Sequence, residues 1–165
     1  MTVTLSKVVP FLWYGKDAEE AVRLYVSLVA NSSLDNVWRL SPDAENGPSG
    51  PVKVIEFTLG GVKFNAMEAG PMDTFNHSVS FVINCTDQAE VDRLWDALGE
   101  GGTYEACGWL KDRYGVSWQI VPIEFMEMMK DKDPARAKRV ADAMMKMVKL
   151  EVEPLRRAYE GAKAA

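Results

Sequence analysis

The stretch Phe11-Leu-Trp-Tyr-Gly-Lys-Asp17 has a similar counterpart 70 residues later, Phe81-Val-Ile-Asn-Cys-Thr-Asp87. This repetition decides the predicted fold. In both copies an apolar run is followed within a few residues by an aspartate, and a glutamate stands three residues after that aspartate. An aspartate and a glutamate at this spacing are typical of the capping box that begins a helix. Each copy is therefore predicted to be a strand followed by a helix.

The segments after the two aspartates share one helical pattern. Apolar side chains recur at spacing i, i+3, i+4 and i+7, which gives a helix one buried face. The matching positions are Ala21, Leu24, Tyr25 and Leu28 in the first copy and Val91, Leu94, Trp95 and Leu98 in the second. Agreement in register at this many positions indicates a duplicated unit.

A second pair of similar segments lies 54 residues apart, Gly61-Val-Lys-Phe-Asn-Ala-Met67 and Gly115-Val-Ser-Trp-Gln-Ile-Val121. Both begin at a turn glycine and have the pattern of strands. The two repeats together predict an α+β chain of two βαβββ units followed by C-terminal helices. We expect a single domain over residues 1–165, with the units at 1–72 and 73–122 and a helical extension at 123–165.

The composition excludes several classes of protein. With 165 residues, 47% of them hydrophobic and 26% charged, the chain is typical of a globular domain. The net charge of −5 argues against a nucleic-acid partner. No apolar run reaches about 18 residues, so we expect no membrane partner. Two cysteines are too few for a disulfide scaffold, and no secretory signal is visible, so we expect a cytoplasmic protein.

Two βαβββ units in one chain resemble the vicinal oxygen chelate superfamily, the fold of glyoxalase I and the bleomycin-resistance proteins. The chain resembles in particular the PhnB-like branch, which is often labelled 3-demethylubiquinone-9 3-methyltransferase. The most specific matching segment is Cys107-Gly-Trp-Leu-Lys-Asp-Arg-Tyr-Gly-Val-Ser-Trp-Gln119, and the others are residues 10–14, 18–25, 79–81, 87–92 and 94–95. The resemblance implies two sheets that form a cupped surface, with the ligand inside and the helices outside.

In metal-dependent members of the superfamily, four side chains from the first and last strands of the two units hold a divalent ion. The resemblance places these positions on Pro10, Asn65, Ser80 and Gln119. Proline offers no ligand atom, and hydroxyls and neutral amides are poor substitutes for imidazole, carboxylate or thiolate. We therefore expect no metal and no other cofactor. A relocated metal site that uses His77, Glu56 or Glu68 stays open.

Alternation along the strands then predicts which side chains line a ligand site. We expect the bulky residues to pack under the helices, namely Phe11, Trp13, Phe64, Phe81, Ile83 and Trp118. The opposite register mixes apolar side chains with amides and hydroxyls, as small-molecule sites do. The expected ligand-binding residues are Leu12, Tyr14, Glu56, Asn65, Met67, Ser80, Val82, Gln119 and Val121. No catalytic residue is assigned.

Three functions stay open at this point. The missing metal ligands favour a protein that binds a small, partly apolar molecule without the usual metal. The alternative is an enzyme of the superfamily type, such as a lyase, an isomerase or a dioxygenase-like enzyme, although no nucleophile and base can be paired. A methyltransferase, which the family label implies, has the least support because no Gly-x-Gly loop leads from a strand into a helix.

The C-terminal extension carries an apolar stripe that must be buried. Its members are Val140, Ala141, Met144, Met145 and Val148. Adaptable methionine surface suits a contact between subunits, and members of the resembled superfamily commonly dimerise. We therefore expect a homodimer to which the extension contributes. The stripe could instead cover its own subunit.

Overall fold

Each half of the chain folds as a strand, a helix and three further strands, which confirms the predicted α+β class. The computed structural model describes residues 6–40, 51–70 and 73–161. It groups the chain into two units, Met1–Asp73 and Thr74–Ala165. The first unit contains β1 (Phe11–Tyr14), α1 (Ala18–Leu28), β2 (Ser33–Arg39), β3 (Lys53–Leu59) and β4 (Val62–Glu68).

The second unit repeats this order and adds three helices. Its elements are β5 (Phe81–Cys85), α2 (Gln88–Gly99), β6 (Thr103–Tyr104), β7 (Trp109–Lys111), β8 (Ser117–Pro122), α3 (Ile123–Met129), α4 (Pro134–Met144) and α5 (Val152–Glu160). The α4 helix begins at Asp133 and Pro134, as the sequence predicts. None of the helices in the described ranges combines the length and the apolar composition of a membrane span.

The two sheets share one strand order, β1-β4-β3-β2 in the first unit and β5-β8-β7-β6 in the second. In each sheet the first and last strands of the unit pair in parallel. The other pairs are antiparallel. A tight turn cannot join parallel strands, so the helix and the intervening strands form the crossover.

One face of each sheet packs against the helix of its own unit. In the first unit, Phe57 and Phe64 lie opposite each other and stack, with ring centroids 5.3 Å apart. In the second unit, Tyr104 stacks on Trp95 of α2 at 5.0 Å, and Trp118 is fully buried. Burying a large apolar side chain stabilises a fold by about 1.5–3 kcal/mol, so these rings hold the helices in place.

The two crossover helices begin differently. At α2 the Asp87 side chain accepts from the Glu90 amide, and the Glu90 carboxylate accepts from the Thr86 amide. The predicted capping box is thus confirmed there. At α1 the prediction is wrong, because Asp17 has a left-handed backbone (φ 64°) and its side chain caps no described amide. Glu68, at the end of β4, accepts from the Ala18 amide instead.

The C-terminal helices pack within the second unit. Met128, Val140 and Leu155 form a buried cluster among α3, α4 and α5. Gln88 of α2 holds the segment before α5, because its Nε2 donates to the Leu150 carbonyl at 3.3 Å and its Oε1 accepts from the Val152 amide at 2.8 Å. The extension is therefore anchored on α2.

The turn between β7 and β8 is organised by one buried carboxylate. Asp112 is 3% exposed and accepts hydrogen bonds from the amides of Tyr114 and Val116 and from the Trp118 indole, at 2.9, 3.0 and 2.8 Å. Gly115 turns the chain with a φ of 93°, a value that suits glycine. Asp112 thereby positions the start of β8.

Replacing Asp112 by Ala should lower the free energy of unfolding by about 2–4 kcal/mol, because three donors lose their buried acceptor. Urea unfolding followed by tryptophan fluorescence measures this loss. Asp142→Ala is the control, since Asp142 forms an exposed helical pair with Lys138, and its cost should stay below about 0.5 kcal/mol. Equal costs for the two variants would contradict the role assigned to Asp112.

Candidate functional site

The face of each sheet opposite its helix carries most of the residues predicted for the site. Residues that lie opposite each other on neighbouring strands share a face, so the register defines both surfaces. The Asn65 face of the first unit consists of Phe11, Trp13, Asn36, Trp38, Val54, Glu56, Thr58, Lys63, Asn65 and Met67. The Gln119 face of the second unit consists of Ser80, Val82, Asn84, Trp109, Lys111, Ser117, Gln119 and Val121.

Seven of the nine residues expected to bind a ligand lie on these two faces. Glu56 and Met67 accompany Asn65 in the first unit. In the second unit Ser80, Val82 and Val121 accompany Gln119. This orientation agrees with the predicted alternation, while a binding role for these residues stays a prediction.

The orientation predicted for Leu12 and Tyr14 is wrong. Leu12 is 7% and Tyr14 is 3% exposed, and the Tyr14 hydroxyl donates to the Tyr25 hydroxyl of α1 at 3.3 Å. Both side chains therefore lie on the helix side. Phe11 and Trp13, predicted to lie under the helix, occupy the Asn65 face instead.

The register of β1 explains this error. Phe11 lies opposite Asn65 in the parallel ladder, whereas Pro10 contributes its carbonyl, which accepts from the Asn65 amide at 2.9 Å. The motif alignment made Pro10 the counterpart of Asn65, which shifts β1 by one residue relative to the observed pairing of Phe11 with Asn65. A shift of one residue moves every side chain of a strand to the other face.

The polar groups of the Asn65 face already have partners in their own unit. Glu56 lies opposite Asn65, and its Oε1 accepts from the Trp38 indole at 3.1 Å. The Trp13 indole donates to the Gly70 carbonyl at 3.0 Å. Much of the hydrogen-bonding capacity of this face is thus used in holding strands and loops together.

The Gln119 face has polar groups set among apolar ones. The Gln119 side chain donates from Nε2 to the Ser80 hydroxyl at 2.9 Å, and Val82 and Trp109 lie opposite Gln119 on its two neighbouring strands. Ser117 is 1% exposed, and its hydroxyl has no hydrogen-bond partner among the described residues. A buried hydroxyl without a partner costs about 1–3 kcal/mol. The Ser117 hydroxyl is thus a polar group of this face whose hydrogen bonds are not used.

The segment before β5 brings a histidine to Trp109. Phe75 lies beside the turn at Gly115, where a Cβ would come within 3.8 Å of its ring. His77 Nε2 is 2.7 Å from Glu105 Oε2, and the imidazole and Trp109 ring centroids are 6.0 Å apart.

The sequence patterns did not identify Glu105 and Trp109 as candidate site residues. The β7–β8 hairpin, closed by a short turn, was the signal that could have placed Trp109 opposite Gln119.

The donor atoms at the superfamily's metal positions do not fit a divalent ion. Pro10 provides no side-chain donor, and the Gln119 amide is bound to Ser80. Across the part of the chain that the structure describes, no three His, Cys, Asp or Glu side chains are grouped so that they could hold a metal ion. Glu68, one of the alternative ligands, forms an ion pair with Lys53 at 3.6 Å and caps α1.

The two cysteines are free thiols. Cys85 is fully buried, and burial raises the pKa of its thiol to about 12. The thiol therefore keeps its proton near neutral pH and is a poor nucleophile. Cys107 lies against Met145, with the two sulfur atoms 3.9 Å apart.

A cavity of about 360 Å³ lies elsewhere in the second unit, between the start of α2 and the C-terminal helices. Its charged walls pair with one another, Lys149 with Asp92 at 2.6 Å and Arg156 with Glu124. The hydrogen bond from Lys149 holds the pKa of Asp92 below its ordinary value. The Lys149–Asp92 pair fastens the extension to α2, and the Arg156–Glu124 pair joins α5 to α3 within the extension. Because these charges already serve the packing of the extension, we assign the candidate site to the Gln119 face.

Comparisons with known proteins agree with this architecture. The family model described as 3-demethylubiquinone-9 3-methyltransferase matches residues 6–121. No curated protein matches the chain. Among solved structures, a putative 3-demethylubiquinone-9 3-methyltransferase, PhnB protein, from Bacillus cereus is 28% identical with a TM-score of 0.64, over 71% of this chain and 99% of that one.

Two further structures extend the similarity of fold. Protein PA1353 from Pseudomonas aeruginosa is 21% identical with a TM-score of 0.60, over 72% of this chain and 98% of that one. The fosfomycin resistance protein FosX from Listeria monocytogenes is 14% identical with a TM-score of 0.53, over 79% of this chain and all of that one (100%). The family match takes in both βαβββ units and ends inside β8, so α3, α4 and α5 lie outside it. The chain belongs to the 3-demethylubiquinone-9 3-methyltransferase family, the PhnB-like branch of the vicinal oxygen chelate superfamily.

Proposed function

We propose that the Gln119 face binds a small, partly apolar molecule without the superfamily's usual metal. The observation that carries this proposal is the Gln119–Ser80 hydrogen bond set between Val82 and Trp109. Val82 is 49% exposed, so apolar surface is available next to the amide. A mostly apolar wall with a few convergent polar groups is the usual composition of a small-molecule site.

The amide and the hydroxyl suit a ligand with neutral polar substituents. A carboxamide has two N–H donors and a carbonyl acceptor, and the Ser80 hydroxyl can donate as well as accept. With one N–H of Gln119 bound to Ser80, the second N–H and the carbonyl oxygen can serve a ligand. Val82 and Trp109 would contact the apolar part of the same molecule.

We do not extend the methyltransferase label of the family to this chain. A nucleotide-like cofactor commonly binds through free amides at the helix that follows the first strand. At α1 the Glu68 carboxylate accepts from the Ala18 amide. At α2 the side chains of Asp87 and Glu90 bind backbone amides in the same way. Carboxylates of the chain thus occupy the positions that such a cofactor needs.

Replacing Gln119 by Leu should weaken ligand binding about tenfold, because the ligand loses its amide partner. The unfolding free energy should change by less than about 1.5 kcal/mol, since Leu has a similar volume and one hydrogen bond is lost. The ligand for this test is a fragment selected by native mass spectrometry of the wild type. Calorimetric titration then gives the affinity of each variant.

Asn65→Leu is the matched control, because it makes the equivalent change on the last strand of the first unit. Its affinity for the same fragment should equal that of the wild type. If Asn65→Leu lowers the affinity for the fragment and Gln119→Leu does not, the site lies on the Asn65 face. Unfolding of Gln119→Leu would show that Gln119 supports the core, and the assignment of the site would fall.

We also propose that the chain forms a homodimer to which the C-terminal extension contributes, and that it works in the cytoplasm. Val140 is fully buried in its own subunit, and Met144 packs on the same cluster. Met145 and Val148, from the same predicted stripe, are 67% and 54% exposed. These two side chains, which follow α4, are the part of the stripe whose apolar surface is left for a second copy. Free thiols at both cysteines support a reducing compartment.

Charging this surface with the double substitution Met145→Glu and Val148→Glu should convert the dimer into a monomer, because apolar contact area is lost and like charges meet. Light scattering measures the mass in solution. Val62→Glu is the control, since Val62 is equally exposed (53%) but lies on β4, and this variant should stay dimeric. A monomeric wild type, or a double variant that stays dimeric, would refute the proposal.

A further inference from the structure

We infer that His77 and Glu105 form an acid–base pair that takes a proton from the ligand of the Gln119 face, an inference that rests on the proposed function. The ligand class it points to is a planar molecule with a weakly acidic hydroxyl group, such as a phenol or an enol. His77 would then be the base that contacts the ligand, and Glu105 a positioning residue.

The geometry of the pair assigns the role of each nitrogen. His77 Nε2 lies 2.7 Å from Glu105 Oε2. An ionised carboxylate can only accept hydrogen bonds, so Nε2 carries the proton of the neutral imidazole. The lone pair is then on Nδ1, the other ring nitrogen. A carboxylate that fixes the tautomer of a histidine in this way is the usual partner of a general base.

The exposure of the two side chains fits the same division of roles. The His77 side chain is 51% exposed, whereas that of Glu105 is 26% exposed. The Glu105 amide also donates to the Trp109 carbonyl at 2.9 Å, which ties the backbone of Glu105 to the start of β7. The base is thus accessible to a ligand, while its orienting carboxylate is held more firmly.

The neighbours of His77 determine the shape of the ligand. The Trp109 ring centroid is 6.0 Å from that of His77, and Trp109 lies opposite Gln119. An indole beside the base favours a planar partner that can stack on it or meet it edge to face. The second N–H of the Gln119 amide, next along the same face, can donate to a polar substituent.

The proton transfer is balanced between the ligand and the His77–Glu105 pair. The proton passes from the hydroxyl oxygen of the ligand to His77 Nδ1, and the electron pair of the broken O–H bond stays on that oxygen. The imidazolium that forms is stabilised by the Glu105 carboxylate. No electrons leave the ligand, so no oxidant or reductant takes part.

A chromogenic phenol tests the pair directly. We would titrate the wild type with 4-nitrophenol at a pH below the pKa of the free phenol and follow the absorption band of the phenolate. Bound 4-nitrophenol should show this band in the wild type and lose it in His77→Gln. Its affinity should fall about tenfold or more in that variant, because a charge-assisted hydrogen bond is lost. Glu105→Gln keeps the histidine and should reduce the bound phenolate fraction.

The methyl ether 4-nitroanisole is the matched probe, because it has the same ring and no acidic proton. Its affinity, measured by quenching of tryptophan fluorescence, should change by less than about twofold in His77→Gln. A phenolate band that survives in His77→Gln, or equal losses for both probes, would overturn the inference and leave a structural role for the pair. A wild type that binds neither probe would overturn it as well.

Failure of the proposed function has a separate signature. Gln119→Leu should weaken the binding of both probes, whether or not the bound phenol gives up its proton. If Gln119→Leu leaves both affinities unchanged, the proposed binding face is wrong, even where His77→Gln removes the phenolate band. If Gln119→Leu weakens both probes while the band survives in His77→Gln, only the acid–base pair is wrong.

Discussion

The parallel register between the first and last strands of each unit is the constraint on which the rest of the structure depends. In the second unit, Val82 lies opposite Gln119 and Phe81 lies opposite Trp118. This pairing sends Trp118 under α2 and leaves Gln119 on the other side of the sheet. A shift by one residue would exchange the two sets, burying an amide without partners and exposing an indole. The fold and the candidate site are therefore set by the same ladder.

The repeats in the sequence were sufficient to predict the order of elements, because they occur in the segments that build each unit. The alternation of β4, β5 and β8 was also predictable, since their aromatic residues Phe64, Phe81 and Trp118 occupy one register and Asn65 and Gln119 the other. In β1 the same reasoning failed. Phe11 and Trp13 are the bulkier residues, but Tyr14 reaches α1 through its hydroxyl. The pairing of Phe11, and not Pro10, with Asn65 fixes this orientation, and the bulk of the side chains in a four-residue edge strand does not reveal it.

Contacts between distant residues could not be predicted in the same way. Glu68 caps α1 from 50 residues away in sequence, and this tertiary cap replaces the local one predicted at Asp17. His77 and Glu105 are 28 residues apart and meet because the segment before β5 reaches the start of β7. Neither pairing has a local sequence signature, since each depends on how loops cross the finished sheet.

The chemistry of the Gln119 face differs from that of a metal centre on the same fold. The proposed site offers an amide and a hydroxyl, which form hydrogen bonds with neutral polar atoms, and we infer that the His77–Glu105 pair accepts a proton there. The C-terminal helices lie outside the family match and fasten to α2 through Gln88. In the second unit, both α2 and the extension thus support the sheet from which this face is formed.

The most direct measurement of the central claim, that the Gln119 face binds the ligand, is the response of individual indole N–H signals in a ¹H–¹⁵N NMR titration with 4-nitrophenol. The Trp109 indole should shift, because it lies on that face opposite Gln119. The Trp118 indole should stay in place, because it is buried on the helix side and bound to Asp112. A shift confined to Trp38, on the Asn65 face, or a shift of Trp118 without one of Trp109, would contradict the account.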